Sequence, residues 1–396
     1  MSIVKNRIKN LTEAAQRIKK AALEKERIII YGDSDADGVC STVILQEAIK
    51  NLGGSVFSVM FPDRENDGYG VNKRALGLLK GKSPALFITL DLGIGNVAEV
   101  EELNAMGFEV IIIDHHEPLD KIPAASIVVD VKQPGDNAGF EYLCNAGLTF
   151  KLVEEMFHPA EALGEGGLGE SLRNSLLELV ALATISDMVP QIEDNKLFIE
   201  RGLRSLQETY RPGLRAFFGM PDVGSVAAGG YMKIISYINT AESVDFMNDA
   251  FLLLTSHEVN RCRDLAEGLA GKSALKQQKI ASISQEVERR IAKNPDDKII
   301  FEGDPAWKLT LAGPVASIIA QKYQKPTFIY KKMDTESAGS VRSLREGENS
   351  VDAMALCKDL LITYGGHAKA SGFRLKNEDL DQFKQRLGEY FIHLRK

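Results

Sequence analysis

Between Arg27 and His116 the chain repeats one alternation: a short apolar run, a polar break, then a segment with helical spacing. Arg27-Ile28-Ile29-Ile30-Tyr31-Gly32 is apolar at nearly every position, the pattern of a strand buried on both faces. Helical spacing follows from about Val39 to Asn51, strand-like residues from Ser55 to Phe61, and a second helical stretch from Val71 to Leu79. Ala85 to Leu90 predicts a third strand, residues 96–106 a helix, and Ile111-Ile112-Ile113 a fourth strand. Strands that alternate with helices in this way predict a parallel α/β sheet. The breaks at three strand ends are acidic: Asp33-Ser34-Asp35-Ala36-Asp37-Gly38, Asp91-Leu92-Gly93 and Asp114-His115-His116. Open α/β sheets bind ligands at the carboxyl edge of their strands, so the coincidence marks a candidate site.

The flanks follow other patterns. Residues 3–26 have helical spacing, with Ile3, Ile8, Leu11, Ala15, Ile18 and Ala22 on one stripe and a basic face opposite, read as solvated. From Gly147 onward the chain is mostly helical. The run Leu163-Gly164-Glu165-Gly166-Gly167-Leu168-Gly169 reads as a loop, and the absence of a following Lys-Ser/Thr excludes a P-loop. Leu172 to Ser186 predicts an apolar helix stopped before Pro190, which delivers Asp187 at its carboxyl end. Residues 243–294 predict one or two long helices, interrupted near Gly268 and Gly271 and ended at Pro295. Strands and helices alternate again from Lys298 to Leu375. The expected organisation is an α/β catalytic domain over 1–225, a helical connector over 226–295 and a smaller α/β domain over 296–396.

Composition narrows the class. A chain of 396 residues with net charge −7 is no non-specific coat for nucleic acid, although a local basic groove remains compatible. Cys40, Cys144, Cys262 and Cys357 form no Cys-x-x-Cys pair and read as buried thiols of a reducing compartment. The first residues lack the apolar core of a signal peptide, and no apolar run is long enough for a bilayer. The expectation is a cytoplasmic protein with no membrane partner.

The candidate metal ligands are Asp35, Asp37, Asp91, His115 and Asp187, with Asp33, Asp114 and His116 close by. Crowded carboxylates without lysines among them repel one another unless a cation is present. Carboxylates with one or two imidazoles suit Mn²⁺ or Mg²⁺, the nitrogen favouring Mn²⁺. Asp35 and Asp37, if the segment is extended, point opposite ways and can serve two ions bridged by Asp91. Two ions about 3.5–4 Å apart promote phosphoester cleavage. Asp33 to Gly38 also looks like the start of an EF-hand loop, but its twelfth position is Ile44 and a strand precedes it, so that reading is rejected.

These segments resemble the DHH phosphoesterase superfamily and, within it, the RecJ-like single-strand exonucleases of compact, archaeal type. Tyr31 to Gly38 is similar to the first motif, Asp91-Leu92-Gly93 to the second, Asp114-His115-His116 to the third, and Ala183 to Pro190 to the fourth. Tyr364 to Phe373 resembles the Gly-Gly-His signature of the DHH-associated domain. The resemblance implies that Asp35 and Asp91 hold one ion, with Asp33 as a further candidate, and that Asp37, Asp91, His115 and Asp187 hold the other. His116 would then meet the scissile phosphate, and Asp114 would orient the imidazoles. Tyr31 stands where the small-substrate branch carries histidine, which favours the nuclease branch. Arg64 lies in a segment whose arginine contacts a terminal phosphate in RecJ. Ser340 and Arg342 match a phosphate clasp, and Gly365, Gly366 and His367 match substrate contacts.

One departure stands out. RecJ proteins carry Asn-Ala-x-Gly-Arg where this chain reads Asn239-Thr240-Ala241-Glu242-Ser243. A carboxylate there would repel a 5′-phosphate, so polarity stays open. The resemblance implies a Mn²⁺- or Mg²⁺-dependent exonuclease on single-stranded DNA or RNA, with GINS or other replication proteins as partners. Two alternatives stay open: a hydrolase of short oligonucleotides or 3′-phosphoadenosine 5′-phosphate, and a non-catalytic replication scaffold.

Overall fold

The computed structural model describes residues 8–118, 121–158, 167–345 and 347–393. Two compact units divide the chain, Met1–Ser273 and Ala274–Lys396. In the first, α1 (Leu11–Leu23) leads into β1 (Ile28–Gly32), α2 (Ala36–Asn51), β2 (Ser58–Met60), α3 (Lys73–Leu79), β3 (Ala85–Leu90), α4 (Val97–Ala105), β4 (Phe108–Asp114) and β5 (Ile127–Asp130). All five strands run parallel in the order β2-β1-β3-β4-β5. The chain moves from β1 outward to β2, then returns to the other side of β1 for β3. Their carboxyl ends therefore flank the topological switch point, where such sheets open a crevice.

Both faces of this sheet are covered, which is why its strands read as unbroken apolar runs. Ile28 and Ile30 face one buried cluster, which includes residues of α1, α2 and α6, while Ile29 and Tyr31 face a second, formed with α3 and α4. This is the period-2 alternation of a strand. The strand at Ile127-Val128-Val129-Asp130 was not anticipated, because four residues between loops carry little pattern.

The helical half of this unit comprises α5 (Asn145–Met156), α6 (Glu170–Ser186), α7 (Glu193–Leu206), α8 (Pro212–Phe218) and α9 (Tyr231–Ile238). A two-stranded hairpin, β6 (Ser243–Val244) with β7 (Met247–Asn248), precedes α10 (Asp249–Thr255) and α11 (Val259–Ile291). Gly268 and Gly271 do not interrupt α11 as expected. Both lie on its exposed face, while Cys262, Ala266 and Leu269 bury the opposite one. Burial along that face offsets the roughly 1 kcal/mol each glycine costs a helix. Of the other expectations, residues 3–7 and residues 163–166 of the glycine-rich run lie outside the described residues.

The second unit carries β8 (Ile300–Asp304), α12 (Leu309–Tyr323), β9 (Thr327–Lys332), β10 (Glu336–Arg342), α13 (Ser350–Ala355), β11 (Leu361–His367), β12 (Ala370–Lys376) and α14 (Leu380–His393). Its sheet runs β11-β12-β10-β9-β8, antiparallel except for the β8–β9 pair. Phe301, Phe328, Phe373 and Phe383 form the centre of its core. Among the described residues no helix is long and apolar enough to cross a membrane.

Candidate metal centre

The segment after β1 turns at once into α2. Asp35 caps that helix, its Oδ1 accepting the N–H groups of Asp37 and Gly38, each at 3.1 Å. The helix therefore starts at Ala36 rather than near Val39, and Asp35-Ala36-Asp37 is not extended. The two carboxylates still diverge, one from the cap and one from the first turn. Gly38 is required here: a Cβ on it would lie 2.4 Å from the Asp33 carbonyl oxygen.

Asp37 is buried, and its two oxygens accept the N–H groups of Asn145 and Ala146, both at 2.7 Å, at the start of α5. A helix amino terminus stabilises a carboxylate in this position. Asp91 follows β3 in the left-handed conformation, with φ of 64°, and its N–H bonds the Ile113 carbonyl. Aspartate adopts that conformation more readily than most residues. Asp187 ends α6.

These groups converge on one nitrogen. His115 Nδ1 lies 3.1 Å from the Leu143 carbonyl oxygen, which can only accept, so Nδ1 carries the proton. Burial and the neighbouring His116 push the His115 pKa down to about 3, so the ring is neutral and Nε2 holds a lone pair. That lone pair faces Asp91 Oδ1 at 3.1 Å, Asp37 Oδ2 at 3.7 Å and Asp187 Oδ2 at 3.9 Å. Asp91 Oδ1 and Asp187 Oδ2 are buried and accept no hydrogen bond among the described residues. Ligand atoms of Asp37, Asp91 and His115 lie within 4.8 Å of one another, with Asp187 Oδ2 beside them, a grouping that could hold a cation. The donor set, oxygens plus one imidazole, fits a divalent ion of the Mn²⁺ or Mg²⁺ kind.

A second group shares Asp91. Ligand atoms of Asp33, Asp35 and Asp91 lie within 4.8 Å of one another, as do those of Asp37, Asp91 and His115. Arg64 enters this second group directly: its Nε donates to Asp33 Oδ1 at 2.7 Å and its Nη2 to Asp33 Oδ2 and, at 3.0 Å, to Asp35 Oδ2. Burial drives the Asp33 pKa up, and Arg64 only partly opposes it. At Asp35 burial acts the same way, but Arg64 and the Gly38 N–H outweigh it and the pKa falls. Burial together with neighbouring carboxylates raises Asp37 and Asp91 well above the usual range, and burial with Asp35 raises Asp187 to about 7. Asp37, Asp91 and Asp187 are thus short of compensating positive charge.

The two histidines of the triplet are held differently. Asp114, fully buried at the end of β4, accepts the N–H of Ile94 at 3.0 Å and of His115 at 2.8 Å, and takes His116 Nδ1 at 2.8 Å. It meets the ring of His116 and the backbone of His115, whose ring Nδ1 lies against the Leu143 carbonyl. Burial would lower His116, but Asp114 overcomes it and holds the pKa near 9. Burial likewise opposes ionisation of Asp114, yet His116 and the Ile94 N–H bring it to about 2. This favours the protonated His116 ring beside the carboxylates; Tyr69 Oη lies 3.2 Å from its Nδ1 and donates to the Asp91 carbonyl at 2.9 Å.

In the second unit, the other expected site residues share three adjacent strands. Ser340 of β10 pairs with Gly372, which pairs with Gly365 of β11; Arg342 pairs with Ala370, which pairs with His367. Gly366 has φ of 125°, and a Cβ there would sit 2.7 Å from the Ala370 carbonyl oxygen, so this corner demands glycine. Arg342 donates from Nε to Ser317 Oγ at 3.0 Å and from Nη1 to the Val341 carbonyl at 2.8 Å. Burial lowers its pKa, and no ion pair to it occurs among the described residues. A half-buried guanidinium with hydroxyls around it is suited to an anion.

Residues 27–184 match the model of the DHH family, N-terminal domain. Over 96% of its length the chain is 34% identical to the single-stranded-DNA-specific exonuclease RecJ of Bacillus subtilis, covering 48% of that relative. Residues 27–184 thus carry the likeness to the DHH family. A crystal structure of exonuclease RecJ bound to manganese matches it with a TM-score of 0.76 at 29% identity, covering 98% of this chain and 95% of that one. RecJ of Thermus thermophilus in complex with Mn²⁺ matches with a TM-score of 0.80 at 28% identity, covering 99% of this chain and 56% of that one. The chain thus spans about half the length of the Bacillus subtilis relative.

Three asparagines were not singled out from the sequence as site residues. Asn195 Nδ2 donates to the carbonyls of Tyr142 and Pro190, at 2.7 and 2.9 Å, and so ties the segment before α5 to the segment after Asp187. Asn248 Nδ2 donates to the Ser34 carbonyl at 3.1 Å. Asn239 bonds both Ala36 and Ser186. The sequence around Asn239 drew attention for Glu242 and Ser243, while the asparagine itself reaches the site. Asn239 stands where the RecJ segment has its asparagine, whereas nothing in the chain marks Asn195 or Asn248, since asparagine is common at turns and helix ends.

Proposed function

We propose that this chain is a metal-dependent phosphodiesterase that degrades single-stranded nucleic acid from an end, releasing nucleotides. The observation that carries the reading is the His115 Nε2 lone pair facing Asp91, Asp37 and Asp187. Asp37, Asp91, His115 and Asp187 would hold one ion; Asp35 and Asp91, with Asp33 beside them, would hold the second. Two such ions, Mn²⁺ or Mg²⁺, supply an activated water and neutralise charge developing at phosphorus when bound. The likeness to RecJ structures with manganese supports Mn²⁺.

The chain's own residues supply the rest. His116, protonated near neutral pH and fixed by Asp114, presents Nε2–H to a non-bridging phosphate oxygen. Arg64 neutralises Asp33 and Asp35 and contacts a terminal phosphate. Ser340, Arg342, Gly365, Gly366 and His367 form the substrate-binding patch of the smaller domain. Residues 1–225 would be the catalytic part, 226–295 the connector and 296–396 the substrate-holding part. Partnership with GINS or other replication proteins, and a cytoplasmic location, rest on family resemblance alone.

The test compares initial rates on dinucleotides and on long single strands of DNA and RNA labelled at either end, with Mn²⁺. Faster turnover of long strands is expected, and the label released first gives the polarity. Faster turnover of dinucleotides would replace this reading with the short-oligonucleotide hydrolase.

A further inference from the structure

Asn239, just past the end of α9, lies outside the acidic segments yet holds two of them. Its Oδ1 accepts the N–H of Ala36, the residue between Asp35 and Asp37, at 2.9 Å. Its Nδ2 donates to Ser186 Oγ at 2.6 Å, one residue before Asp187. These partners stand 203 and 53 residues away along the chain, so one planar amide joins segments that are remote in sequence. The carboxylates on those segments face a common point, Asp37 and Asp187 lying 3.7 and 3.9 Å from His115 Nε2.

Both attachment points are helix ends. The Ala36 N–H is among the first donors of α2, which have no partner inside the helix. Asp35 satisfies the N–H groups of Asp37 and Gly38, and Asn239 completes the cap. Ser186 is the last residue of α6, where backbone bonding also runs out. The amide itself is anchored, because its backbone N–H closes α9 on Ile235 and the helix buries Ile234 and Ile238 completely.

We propose that Asn239 is a positioning residue, a crossbar that fixes the separation between Asp35-Ala36-Asp37 and Asp187 and thereby sets how tightly the shared cation is held. The inference rests on the metal-site reading given above and deepens it. Carboxylates around a cation site repel one another, so a segment free to retreat would relax away from the ion. Partners behind metal ligands typically govern affinity or activity by about 10–100-fold.

The experiment titrates Mn²⁺ into the metal-free protein, following free Mn²⁺ by electron paramagnetic resonance, for wild type, Asn239→Leu and Asn239→Asp. Thermal unfolding of each metal-free protein is measured alongside. Leucine keeps the volume and loses both bonds, and is expected to weaken Mn²⁺ binding by about 10–100-fold. Aspartate still accepts the Ala36 N–H, its other oxygen takes the Ser186 hydroxyl, and its added negative charge does not disfavour a cation, so its affinity is expected at or above that of wild type. Unchanged affinity in folded Asn239→Leu would overturn the inference while leaving the metal site intact. Equal losses in both variants, tracking a fall in the metal-free unfolding temperature, would also overturn it by assigning Asn239 to the fold alone. A wild-type chain that takes up no Mn²⁺ would remove the metal-site reading and the crossbar together.

Discussion

His115 Nε2 stands 3.1 Å from Asp91 Oδ1, while the other nitrogen of the ring is committed to the Leu143 carbonyl. A lone pair and a carboxylate oxygen at that distance repel unless a cation or proton lies between them. The site therefore has an electrostatic cost that metal removes, and pH exposes it. Asp187 is raised to about 7, with Asp37 and Asp91 also well above 3.8. Between the unfolded value and these folded values, the folded chain binds protons that the unfolded chain has released. Stability of the metal-free protein should therefore fall as pH rises from about 4 through 7. Thermal unfolding between pH 5 and 8 should show a decline of several degrees that Mn²⁺ abolishes, since the ion replaces the protons.

The two histidines should separate in kinetics. His115→Ala removes a proposed ligand and should weaken Mn²⁺ binding at least about 10-fold. His116→Ala should leave Mn²⁺ affinity near wild type and lower kcat by about 10²–10³-fold, the usual loss on removing one charge-stabilising donor. Metal titration and steady-state kinetics on the same preparations make the comparison. Loss of metal binding in His116→Ala would reverse the assignment.

Two glycines give opposite expectations for stability. A Cβ at position 38 would lie 2.4 Å from the Asp33 carbonyl oxygen, whereas nothing lies within 4 Å of one at Gly77. Gly38→Ala should destabilise by about 1–3 kcal/mol, the range for overpacking, and should disturb the Asp35 cap. Gly77→Ala, inside α3, should be stabilising by about 0.4–1 kcal/mol. Denaturant unfolding of both variants checks the pair.

Arg342 should act on substrate alone. Hydrogen bonds to a charged group contribute about 1.5–3 kcal/mol, so Arg342→Ala should raise KM for single strands by about 10–100-fold. Its kcat and Mn²⁺ affinity should stay near wild type. A collapse of kcat with unchanged KM would contradict a binding role.

The acidic strand ends were legible because a parallel strand buried on both faces leaves no polar residue inside it. Asp33, Asp91 and Asp114 each announce where an apolar run leaves the sheet. The start of α2 was misread for a physical reason: Asp35 serves as a helix cap and as a candidate ligand, and the pattern of ligands hid the cap. The second unit gave Ser340, Arg342 and Gly365 to His367 as separate motifs, and only strand pairing put them in adjacent rows. The role of Asn239 could not be read at all, since its partners at Ala36 and Ser186 are set by tertiary structure.

The proposed function requires that the Asp91-centred cluster hydrolyse phosphodiesters with bound metal. Its most direct test is release of nucleotides from a labelled single-stranded oligonucleotide by wild type and Asp91→Ala, each with and without Mn²⁺. Mn²⁺-dependent release by wild type that drops more than about 100-fold in Asp91→Ala is expected, given that even supporting partners of a metal site cost about 10–100-fold. Equal release by the two proteins, or no release by wild type with Mn²⁺, would contradict it.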